Sequence, residues 1–333
     1  MADRPNVFVS RVIPEEGLAA IRAACEMDLW EDDLPPPREE LLRRVAGCDG
    51  VLTLLTDRVD DEFLDAAGKK LRVVSNYAVG FDNIDVAACT RRGVMCSNTP
   101  DVLTETTADT AWALLMAAAR RIAEGDRFLR RRQPWVWGPL MMLGQDMNGR
   151  TLGIVGFGRI GQAMARRARG FGMKVIYYDA YRPAPEVERG LGAEFRELDD
   201  LLAEADLVTL HTNLSPETHH LINAERLAKM KSTAVLVNTS RGPVIDEVAL
   251  AQALKEGQIF AAGLDVFEKE PEVHPDLLDL ENVVVIPHLG SATVDTRIAM
   301  GLLAAENLIA ALEGRQPPTL LNPEIWEQRS GRD

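Results

Sequence analysis

Short apolar runs alternate with amphipathic stretches along the first hundred residues. Four of the apolar runs are typical of buried strands: NVFVSR (6–11), GVLTLL (50–55), LRVVSNYA (71–78) and GVMCSN (93–98). The stretches PEEGLAAIRAA, REELLRRVA and DEFLDAAG lie between them and carry apolar residues at helical spacing. Strands that alternate with helices predict a parallel sheet with helices on both faces. We expect the proline-rich stretch at 32–40 to be a loop.

The middle of the chain changes character twice. The stretch from Thr104 to Arg132 predicts one long helix, and its first part is rich in alanine and other apolar residues. The stretch at 133–150 is aromatic, rich in methionine and interrupted by proline and glycine. An apolar loop of this kind either fills a core or forms an interface, and we favour an interface.

A second alternating series fills the rest of the chain. Its six predicted strands are LGIVG, KVIYYD, DLVTLH (206–211), AVLVNTS (234–240), AAGLDVF (261–267) and NVVVIPH (282–288). Six strands with intervening helices match the doubly wound nucleotide-binding fold. A further helix, from roughly Thr293 to Leu312, follows the complete second sheet, so we expect the final segment to return to the first domain. The predicted fold class is α/β, with a discontinuous first domain (1–99 plus 290–333) and a second domain (100–289).

The stretch TLGIVGFGRIG (151–161) turns on three glycines, Gly156, Gly158 and Gly161, from a predicted strand into a predicted helix. Such a turn directs backbone N–H groups and the positive end of a helix at one point, where a diphosphate can bind. The next apolar run ends in Asp179, and an acidic residue there can bind the ribose hydroxyls of an adenine nucleotide. Strand, helix and acid together predict a dinucleotide site; a glycine-rich turn with no ligand is the alternative.

Composition narrows the classes of partner. A chain of 333 residues is expected to form two domains, and a net charge of −14 argues against nucleic acid. No apolar run approaches the roughly 20 residues of a membrane span, and the first residues lack a signal-peptide pattern. The cysteines, which show no CxxC spacing, are expected to be reduced thiols in a cytoplasmic protein: Cys25, Cys48, Cys89 and Cys96.

Three ionisable residues stand at or just after the ends of predicted strands in the second series: Arg241, Glu270 and His288. Ligands in such sheets bind beyond the carboxyl ends of the strands, so these side chains are expected to meet. Arg241 can hold a carboxylate or keto oxygen, or it can cap carbonyls or form a domain salt bridge. His288 is the best acid/base candidate, and a carboxylate such as Glu270 beside it favours the imidazolium form.

The other histidines carry weaker predictions. His211 also ends a predicted strand, on the nucleotide side, and is expected to line the cofactor pocket. His219, His220 and His274 are predicted to be loop or surface residues. No cluster in the sequence has the spacing of metal ligands, and no GxSxG motif is present, so we predict no metal site.

With these residues identified, the sequence resembles the D-isomer-specific 2-hydroxyacid dehydrogenases, and within them the glyoxylate/hydroxypyruvate reductase branch. The resemblance covers nearly the whole chain. It rests on the motifs NYAVGFDNID (76–85), TPDVLTETTADTAWALL (99–115), GIVGFGRIGQAMARR (153–167), NTSRGPVIDE (238–247), GLDVFEKEP (263–271) and PHLGSAT (287–293). It implies two Rossmann-like, doubly wound domains around a cleft: a flavodoxin-like substrate-binding domain and an NAD-binding domain.

The resemblance also implies the roles of individual residues. The implied catalytic residues are Arg241, Glu270 and His288. The implied cofactor-binding residues are Thr107, Gly156, Gly158, Arg159, Ile160, Gly161, Asp179, His211, Thr239, Asp265 and Gly290, where Asp265 contacts either the nicotinamide carboxamide or the catalytic hydrogen-bond network. The implied substrate-binding residues are Leu55, Val79, Gly80, Trp137 and Arg241. The family is typically dimeric, and Trp137 resembles an aromatic residue that reaches toward the partner's substrate pocket.

Two positions bear on the cofactor. Family members commonly have HVPLT after the third strand, whereas this chain has HTNLSPET, so Asn213 replaces the proline and puts cofactor contacts there in doubt. Asp179 favours NAD(H), because its charge repels a 2′-phosphate. Arg182 can partly offset that charge, so some use of NADP(H) is also expected.

The resulting expectation is reversible hydride transfer between a nicotinamide cofactor and a small 2-keto acid, giving the D-hydroxy acid. Glyoxylate and hydroxypyruvate are the expected substrates; 3-phosphoglycerate, D-lactate, formate and larger 2-keto acids are alternatives. Formate enzymes pair the histidine with Gln, whereas this chain has Glu270, and we expect the protein to lack the regulatory domain common in phosphoglycerate enzymes. A non-catalytic NAD(H)-sensing protein is the alternative from another class.

Overall fold

The computed structural model describes residues 4–132 and 134–330. The strands are β1 (Asn6–Val9), β2 (Glu26–Leu29), β3 (Gly50–Thr53), β4 (Val73–Asn76), β5 (Met95–Ser97), β6 (Thr151–Val155), β7 (Lys174–Tyr178), β8 (Ala193–Phe195), β9 (Leu207–Leu210), β10 (Val235–Asn238), β11 (Ala261–Leu264) and β12 (Val283–Val285). The helices are α1 (Glu15–Ala24), α2 (Arg38–Val45), α3 (Asp61–Ala67), α4 (Val86–Arg91), α5 (Thr104–Ala119), α6 (Ile122–Arg130), α7 (Arg159–Gly170), α8 (Pro185–Leu191), α9 (Leu198–Glu204), α10 (Ala224–Leu227), α11 (Glu247–Lys255), α12 (Pro275–Asp279), α13 (Val294–Leu312) and α14 (Glu324–Ser330).

The described residues divide into two compact units. One ends at Leu103 and resumes at Ala292, and the other runs from Thr104 to Ser291. The first contains a five-stranded sheet in the order β2-β1-β3-β4-β5, and the second a seven-stranded sheet in the order β12-β11-β10-β9-β6-β7-β8. All strand pairs in both sheets are parallel. The predicted α/β fold with two parallel sheets is therefore confirmed.

The seven-stranded sheet has an apolar core on each face. Leu152 and Ile154 of β6 belong to one core, which α5 and α7 cover, while Val155 belongs to the other, which includes residues of α9 and α11. Because successive side chains of a strand point to opposite faces, a strand covered on both sides must be apolar throughout. This requirement explains why the strands of this unit read as short continuous apolar runs.

In each sheet the chain adds strands on one side of the first strand and then on its other side. In the second unit the chain passes from β6 to β7 and β8, then returns to place β9 on the other side of β6. In the first unit β1 lies between β2 and β3 in the same way. The loops that follow the two strands at such a point diverge and leave a crevice at the carboxyl edge of the sheet.

The ten predicted strands are confirmed, but β2 and β8 were missed. Strand β2 is the edge strand EMDL, and its residues Glu26 and Asp28 are polar and exposed. Strand β8 has three residues, of which only Ala193 is buried. Edge strands are paired on one side only and need no continuous apolar run. They therefore lack the pattern that identifies the central strands.

Two predicted boundaries were wrong. The single helix expected from Thr104 to Arg132 is interrupted, because Arg121 adopts a left-handed φ of +54° between α5 and α6. The Gln145 N–H donates to the carbonyl of Ala119 at 2.8 Å, which terminates α5. The expected loop at 32–40 ends at Pro37, since α2 begins at Arg38. The short helices α4 and α14 had not been predicted.

The C-terminal segment packs within the first unit. Helix α13 packs against α1 and β4, and Tyr77 donates through its hydroxyl to the carbonyl of Arg297 at 2.7 Å. All four cysteines of the chain are free and buried.

Within the described residues, no helix combines the length and the apolarity that crossing a membrane requires.

Asn322 attaches the last segment to strand β5. Its side-chain oxygen accepts the Cys96 N–H at 2.9 Å, and its amide group donates to the carbonyl of Val94 at 2.9 Å. Asn322 is fully buried, so no water can replace these bonds.

We expect Asn322→Ala to destabilise the first unit by about 1–3 kcal/mol, because two buried backbone groups lose their partner. Hydrogen exchange of the segment around Cys96 should accelerate and the melting temperature should fall. The exposed Gln328 of α14 offers a control, and Gln328→Ala should change neither quantity. Unchanged exchange near Cys96 in Asn322→Ala would contradict this role.

Candidate active site

The crevice of the second unit lies between the loops that follow β6 and β9. Gly156 has a φ of +91°, and a Cβ there would lie 2.6 Å from the carbonyl carbon of His211. A Cβ on Gly161 would lie 2.2 Å from the carbonyl oxygen of Gly156. These two glycines therefore permit close packing of the turn. A Cβ on Gly158, by contrast, would meet open space, so Gly158 leaves room at the start of α7.

Asp179 holds this glycine turn from the end of β7. One carboxylate oxygen accepts the Phe157 N–H at 2.6 Å, and the other accepts the Tyr181 N–H at 2.9 Å. A carboxylate oxygen can accept two hydrogen bonds. Asp179 therefore fixes the turn and retains acceptor capacity toward the crevice.

Buried polar atoms without a partner cluster at the same edge of the sheet. Among the described residues, the Nδ1 of His211 and the Oγ1 atoms of Thr212 and Thr239 have no hydrogen-bond partner. Such atoms are rare in folded proteins, and each is a reason to look for a ligand. The start of α7 has no side-chain cap, so it can accept an anion. An open glycine turn, an uncapped helix and unpartnered polar atoms fit a dinucleotide that carries phosphates and hydroxyls.

His211 faces this edge as a neutral side chain. Burial lowers the pKa of His211 to about 3, and its Nε2 lies 2.9 Å from the Oγ1 of the buried Thr209. The ring therefore carries no charge near neutral pH. A neutral imidazole has one donor and one acceptor nitrogen, so it can hydrogen-bond a ligand without adding charge.

His288 and Glu270 form a direct pair at the neighbouring strand ends. The Nδ1 of His288 lies 2.9 Å from one carboxylate oxygen of Glu270, and the other oxygen accepts the Phe267 N–H at 3.0 Å. Burial raises the pKa of Glu270. The hydrogen bond and charge of His288, the Phe267 N–H and the charge of Arg241 outweigh burial, so the pKa lies below its usual value. Glu270 is therefore an ionised partner that orients the ring, and the Nε2 of His288 is the nitrogen that can exchange a proton with a ligand.

His288 occupies a constrained backbone turn. Its φ of +54° is uncommon for a residue with a side chain, and its N–H donates to the carbonyl of Asp265 at 2.9 Å. The Asp265 carboxylate accepts the N–H of Leu289 at 2.5 Å and the N–H of Gly290 at 2.8 Å. Burial raises the pKa of Asp265 by more than the two N–H donors and His288 lower it. Asp265 thus joins the hydrogen-bond network that carries His288.

Thr107 lies on the far side of the same turn. A Cβ on Gly290 would approach the methyl carbon of Thr107 to 3.4 Å. Thr110, one helical turn along α5, donates through its hydroxyl to the carbonyl of Gly290 at 3.2 Å. The structure therefore brings predicted cofactor residues from α5 and from the turn after β12 together.

Arg241 follows β10 by a short connection and precedes a 3₁₀ turn, Gly242–Val244. Its guanidinium donates to the carbonyl of Ser240 at 2.8 Å, and its own carbonyl accepts from the side-chain amide of Asn238 at 2.8 Å. The charge of Arg241 contributes to the lowered pKa of Glu270. The second unit thus gathers Arg241, Glu270 and His288 at the carboxyl ends of β10, β11 and β12.

His220 lies in a loop, as predicted, and it also makes a side-chain contact with an acidic residue. His220 is half-buried, and its Nε2 lies 3.1 Å from a carboxylate oxygen of Glu268. Glu268 and Glu247 also contact each other's backbone. From the sequence alone we predict no individual role for either residue. Their signal was present in the motifs NTSRGPVIDE and GLDVFEKEP, where each stands near a predicted catalytic residue.

In the first unit, Leu55, Val79 and Gly80 lie in the loops after β3 and β4. The carbonyls of Val79 and Gly80 accept from the side-chain amides of Asn98 at 2.8 Å and Asn76 at 3.0 Å. Within the part of the chain that the structure describes, the N–H groups of these two residues donate to no other group. An open pair of N–H groups in one loop can bind an anion.

The half-buried side-chain amide of Asn83 binds the loop after β3 from the loop after β4, a contact that sequence reasoning missed. Asn83 donates to the carbonyl of Leu54 at 3.0 Å and to that of Asp57 at 2.9 Å. The carboxylate of the buried Asp57 in turn accepts from the hydroxyl of Ser10 at 2.5 Å and from the Leu54 N–H at 2.7 Å. Polar residues just after apolar runs were the available signal.

Trp137 lies on a strongly exposed apolar loop. Trp137 is 76% exposed, Val136 89% and Leu140 81%. The alternative that this stretch fills a core is therefore wrong for these residues, and the interface stays a prediction. Gln133, the first residue of the stretch, lies outside the described residues. Across residues 4–132 and 134–330, no group of three or more His, Cys, Asp or Glu side chains is arranged to hold a metal ion.

The chain is similar in sequence and fold to known proteins of one family. Residues 112–290 match the family model described as "D-isomer specific 2-hydroxyacid dehydrogenase, NAD binding domain". A glyoxylate reductase of Korarchaeum cryptofilum is 55% identical over 98% of this chain and 98% of its own length. A crystal structure of a glyoxylate reductase from Paecilomyes thermophila superposes with a TM-score of 0.87 at 34% identity, covering 97% of this chain and 100% of that one. An NADPH-dependent glyoxylate/hydroxypyruvate reductase from Sinorhizobium meliloti, solved with NADP and malonate, gives a TM-score of 0.82 at 33% identity, covering 96% and 97%.

We expect Asp265→Asn to loosen the turn that carries His288. An amide has one acceptor oxygen, so either Leu289 or Gly290 loses a hydrogen bond to a buried partner. Hydrogen exchange of the segment 286–292 should therefore accelerate. Asp295→Asn, which neutralises an exposed carboxylate nearby, should leave that exchange unchanged. Equal exchange in wild type and Asp265→Asn would show that the turn does not depend on Asp265.

Proposed function

The chain belongs to the D-isomer-specific 2-hydroxyacid dehydrogenase family, and from that premise we propose that it reduces glyoxylate and hydroxypyruvate to glycolate and D-glycerate. It is an oxidoreductase that uses a nicotinamide dinucleotide. One observation carries the proposal: the Nδ1 of His288 lies 2.9 Å from the ionised Glu270 at the carboxyl edge of the sheet. The names of the relatives, which are glyoxylate reductases, support the choice of substrate.

The proposed reaction adds a hydride to C2 of the keto acid and a proton to the oxygen on C2. The dinucleotide, when bound, supplies the hydride. The protein must supply the proton, and we assign it to the Nε2 of His288. Because Glu270 binds Nδ1 and is ionised, it orients the ring and leaves Nε2 as the nitrogen that can donate the proton. General acid catalysis of this kind contributes roughly 10²- to 10⁴-fold to the rate.

We propose that a positively charged side chain and backbone N–H donors orient the negatively charged keto acid. The guanidinium of Arg241 can hold a carboxylate or keto oxygen by charge-assisted hydrogen bonds, each worth about 1.5–3 kcal/mol. The open N–H groups of Val79 and Gly80 support the prediction that their backbone binds the substrate carboxylate. Leu55 remains a predicted substrate contact.

We expect fast oxidation of NADH with glyoxylate or hydroxypyruvate, slow oxidation with pyruvate, and slow oxidation with 3-phosphohydroxypyruvate. His288→Asn should lower kcat by roughly 100-fold or more and leave the Kd for NADH within about twofold, because it removes the proton donor. Asn is the matched replacement, since it tolerates the left-handed backbone at position 288.

Initial rates at 340 nm and NADH fluorescence titrations make both measurements. Equal loss of turnover and of NADH binding in His288→Asn would count against its role as proton donor. A wild-type protein that binds NADH but turns over none of the four acids would contradict the proposed function and favour a larger 2-keto acid or an NAD(H)-sensing role.

We further propose that NADH is preferred over NADPH. Asp179 carries its charge where the ribose of the dinucleotide is expected, and that charge repels a 2′-phosphate. Arg182 is engaged elsewhere: it pairs with Glu188 at 2.8 Å, and its guanidinium lies 4.6 Å from the ring centre of Phe195. The hydroxyl of Tyr177 also donates to Glu188. The relative from Sinorhizobium meliloti is NADPH-dependent, so the preference of this chain has to be measured.

We expect Asp179→Asn to raise the ratio of kcat/KM for NADPH to that for NADH by roughly tenfold or more, because it removes a negative charge close to the 2′-position. Glu186→Gln, which removes an exposed charge from the same segment, should leave the ratio unchanged. An unchanged ratio in Asp179→Asn would locate cofactor choice elsewhere.

We also propose that the chain forms a homodimer through the exposed loop of Val136, Trp137 and Leu140. A contiguous apolar surface of this kind typically marks an interface. Wild type should sediment as a dimer and Trp137→Asp/Leu140→Asp as a monomer. Tyr181→Asp changes a residue that is 87% exposed on another segment and should stay dimeric. A monomeric wild type would contradict the proposal.

A further inference from the structure

Two glutamates of the second unit bind each other's backbone. The Glu247 N–H donates to the carboxylate of Glu268 at 2.9 Å, and the Glu268 N–H donates to the carboxylate of Glu247 at 2.7 Å. We call this reciprocal pair of hydrogen bonds the Glu247–Glu268 clasp. It joins the first residue of α11 to the turn after β11, and that turn carries Glu270.

The clasp grips the peptide group next to the Glu270 anchor. The Glu268 N–H belongs to the same peptide as the Phe267 carbonyl, and the Phe267 N–H binds Glu270 at 3.0 Å. A Cβ on Gly242 would lie 1.9 Å from the carbonyl carbon of Phe267. The backbone directly after Arg241 is therefore packed against the peptide that the clasp holds.

His220, from a third segment of the chain, contacts the clasp through Glu268. Its Nε2 lies 3.1 Å from the Glu268 oxygen that accepts the Glu247 N–H, and its own N–H donates to the carbonyl of Pro243 at 2.7 Å. Pro243 belongs to the 3₁₀ turn after Arg241. One residue thus contacts both the turn that follows Arg241 and the turn that leads to Glu270.

The carboxylate of Glu247 in the clasp is buried, and burial disfavours its charged form. Glu247 is 6% exposed, and burial raises its pKa despite the Glu268 N–H. Glu268 and Glu270 lie close enough to raise that pKa further, while His274 lowers it. A buried acid near two other acids costs stability. The proposed reaction uses neither Glu247 nor Glu268 directly, so their placement requires another explanation.

We propose that Glu247 and Glu268 are positioning residues: the clasp fixes the turn of Glu270 against the turn of Arg241, and so sets the direction in which Glu270 faces His288. The inference rests on the proposed function, because it gives the clasp its effect through Glu270. Displacing a catalytic group by about 1 Å can cost 10²-fold in rate. A rigid backbone around Glu270 therefore has direct consequences for turnover.

The competing explanation is purely structural: Glu268 only caps α11 by accepting the Glu247 N–H. Asp246 separates the two explanations, because it caps the same helix by accepting the Ala249 N–H at 3.0 Å. Asp246→Ala removes a carboxylate and a backbone hydrogen bond from the same helix end, but it leaves the clasp in place. It is the matched control for Glu247→Ala.

We expect Glu247→Ala to lower kcat for glyoxylate reduction roughly ten- to hundredfold, with the Kd for NADH unchanged. Glu247→Gln keeps an acceptor oxygen for the Glu268 N–H and should restore kcat to within about threefold. Asp246→Ala should lower the melting temperature and leave kcat within about twofold. In a Glu270→Ala background, Glu247→Ala should cost nothing further, because both changes act through one side chain.

The NMR signal of the His288 Nδ1 proton gives a readout that needs no turnover, with the signal assigned from the spectrum of His288→Asn. Glu247→Ala should shift this signal, because a displaced Glu270 lengthens its hydrogen bond to Nδ1. Glu247→Gln keeps an acceptor for the Glu268 N–H and should shift the signal much less. Glu268→Ala, at a partly exposed position, should reproduce the shift if Glu247→Ala does not fold.

The outcomes separate the clasp from the proposed function. An inactive wild type would overturn the function, and the His288 Nδ1 proton signal would then decide the clasp alone. A Glu247→Ala protein with normal kcat and an unshifted His288 Nδ1 proton signal would overturn the clasp. So would a loss of kcat that Asp246→Ala matches, or one that persists at full size in the Glu270→Ala background.

Discussion

Parallel pairing of β10, β11 and β12 is the constraint on which the arrangement of the proposed catalytic residues depends. In register, Asn238 pairs with Leu264, and Leu264 pairs with Val285. All three strands therefore end at one edge, although Arg241 and His288 are far apart in the sequence. The side chains meet because each follows its strand by a few residues. A shift of one strand by two residues would separate them while leaving the hydrophobic pattern intact, so the turns after the strands must also be fixed.

Carboxylates that bind backbone N–H groups fix these turns in both units. Asp179 binds the glycine turn, Asp265 binds the His288 turn, and Asp57 binds the loop after β3. The clasp of Glu247 and Glu268 repeats the arrangement in reciprocal form. A charged acceptor makes a stronger hydrogen bond than a neutral one, and a buried acceptor excludes competing water. The scaffold thus obtains rigid loops without strands or helices in them.

Continuous patterns along the sequence were sufficient to predict most of the fold and the positions of the proposed catalytic residues within it. Central strands, amphipathic helices and the glycine turn each have a local signature, and these signatures alone place Arg241, Glu270 and His288 at strand ends. The edge strand β2 lacks an apolar run, and the break at Arg121 depends on a carbonyl contact from Gln145, so neither could be predicted locally. His220, Glu247 and Glu268 are separated along the chain, and only the packing of three turns brings them together.

The unpartnered atoms of His211, Thr212 and Thr239 have a consequence for the lifetime of the protein. A buried polar atom without a partner costs free energy in the folded state, and a ligand that binds only the folded state recovers that cost. At a ligand concentration of about one hundred times Kd, the gain is about 2.7 kcal/mol. The resistance of the chain to unfolding and proteolysis therefore follows the concentration of its dinucleotide, so its abundance is coupled to the cofactor supply of its surroundings.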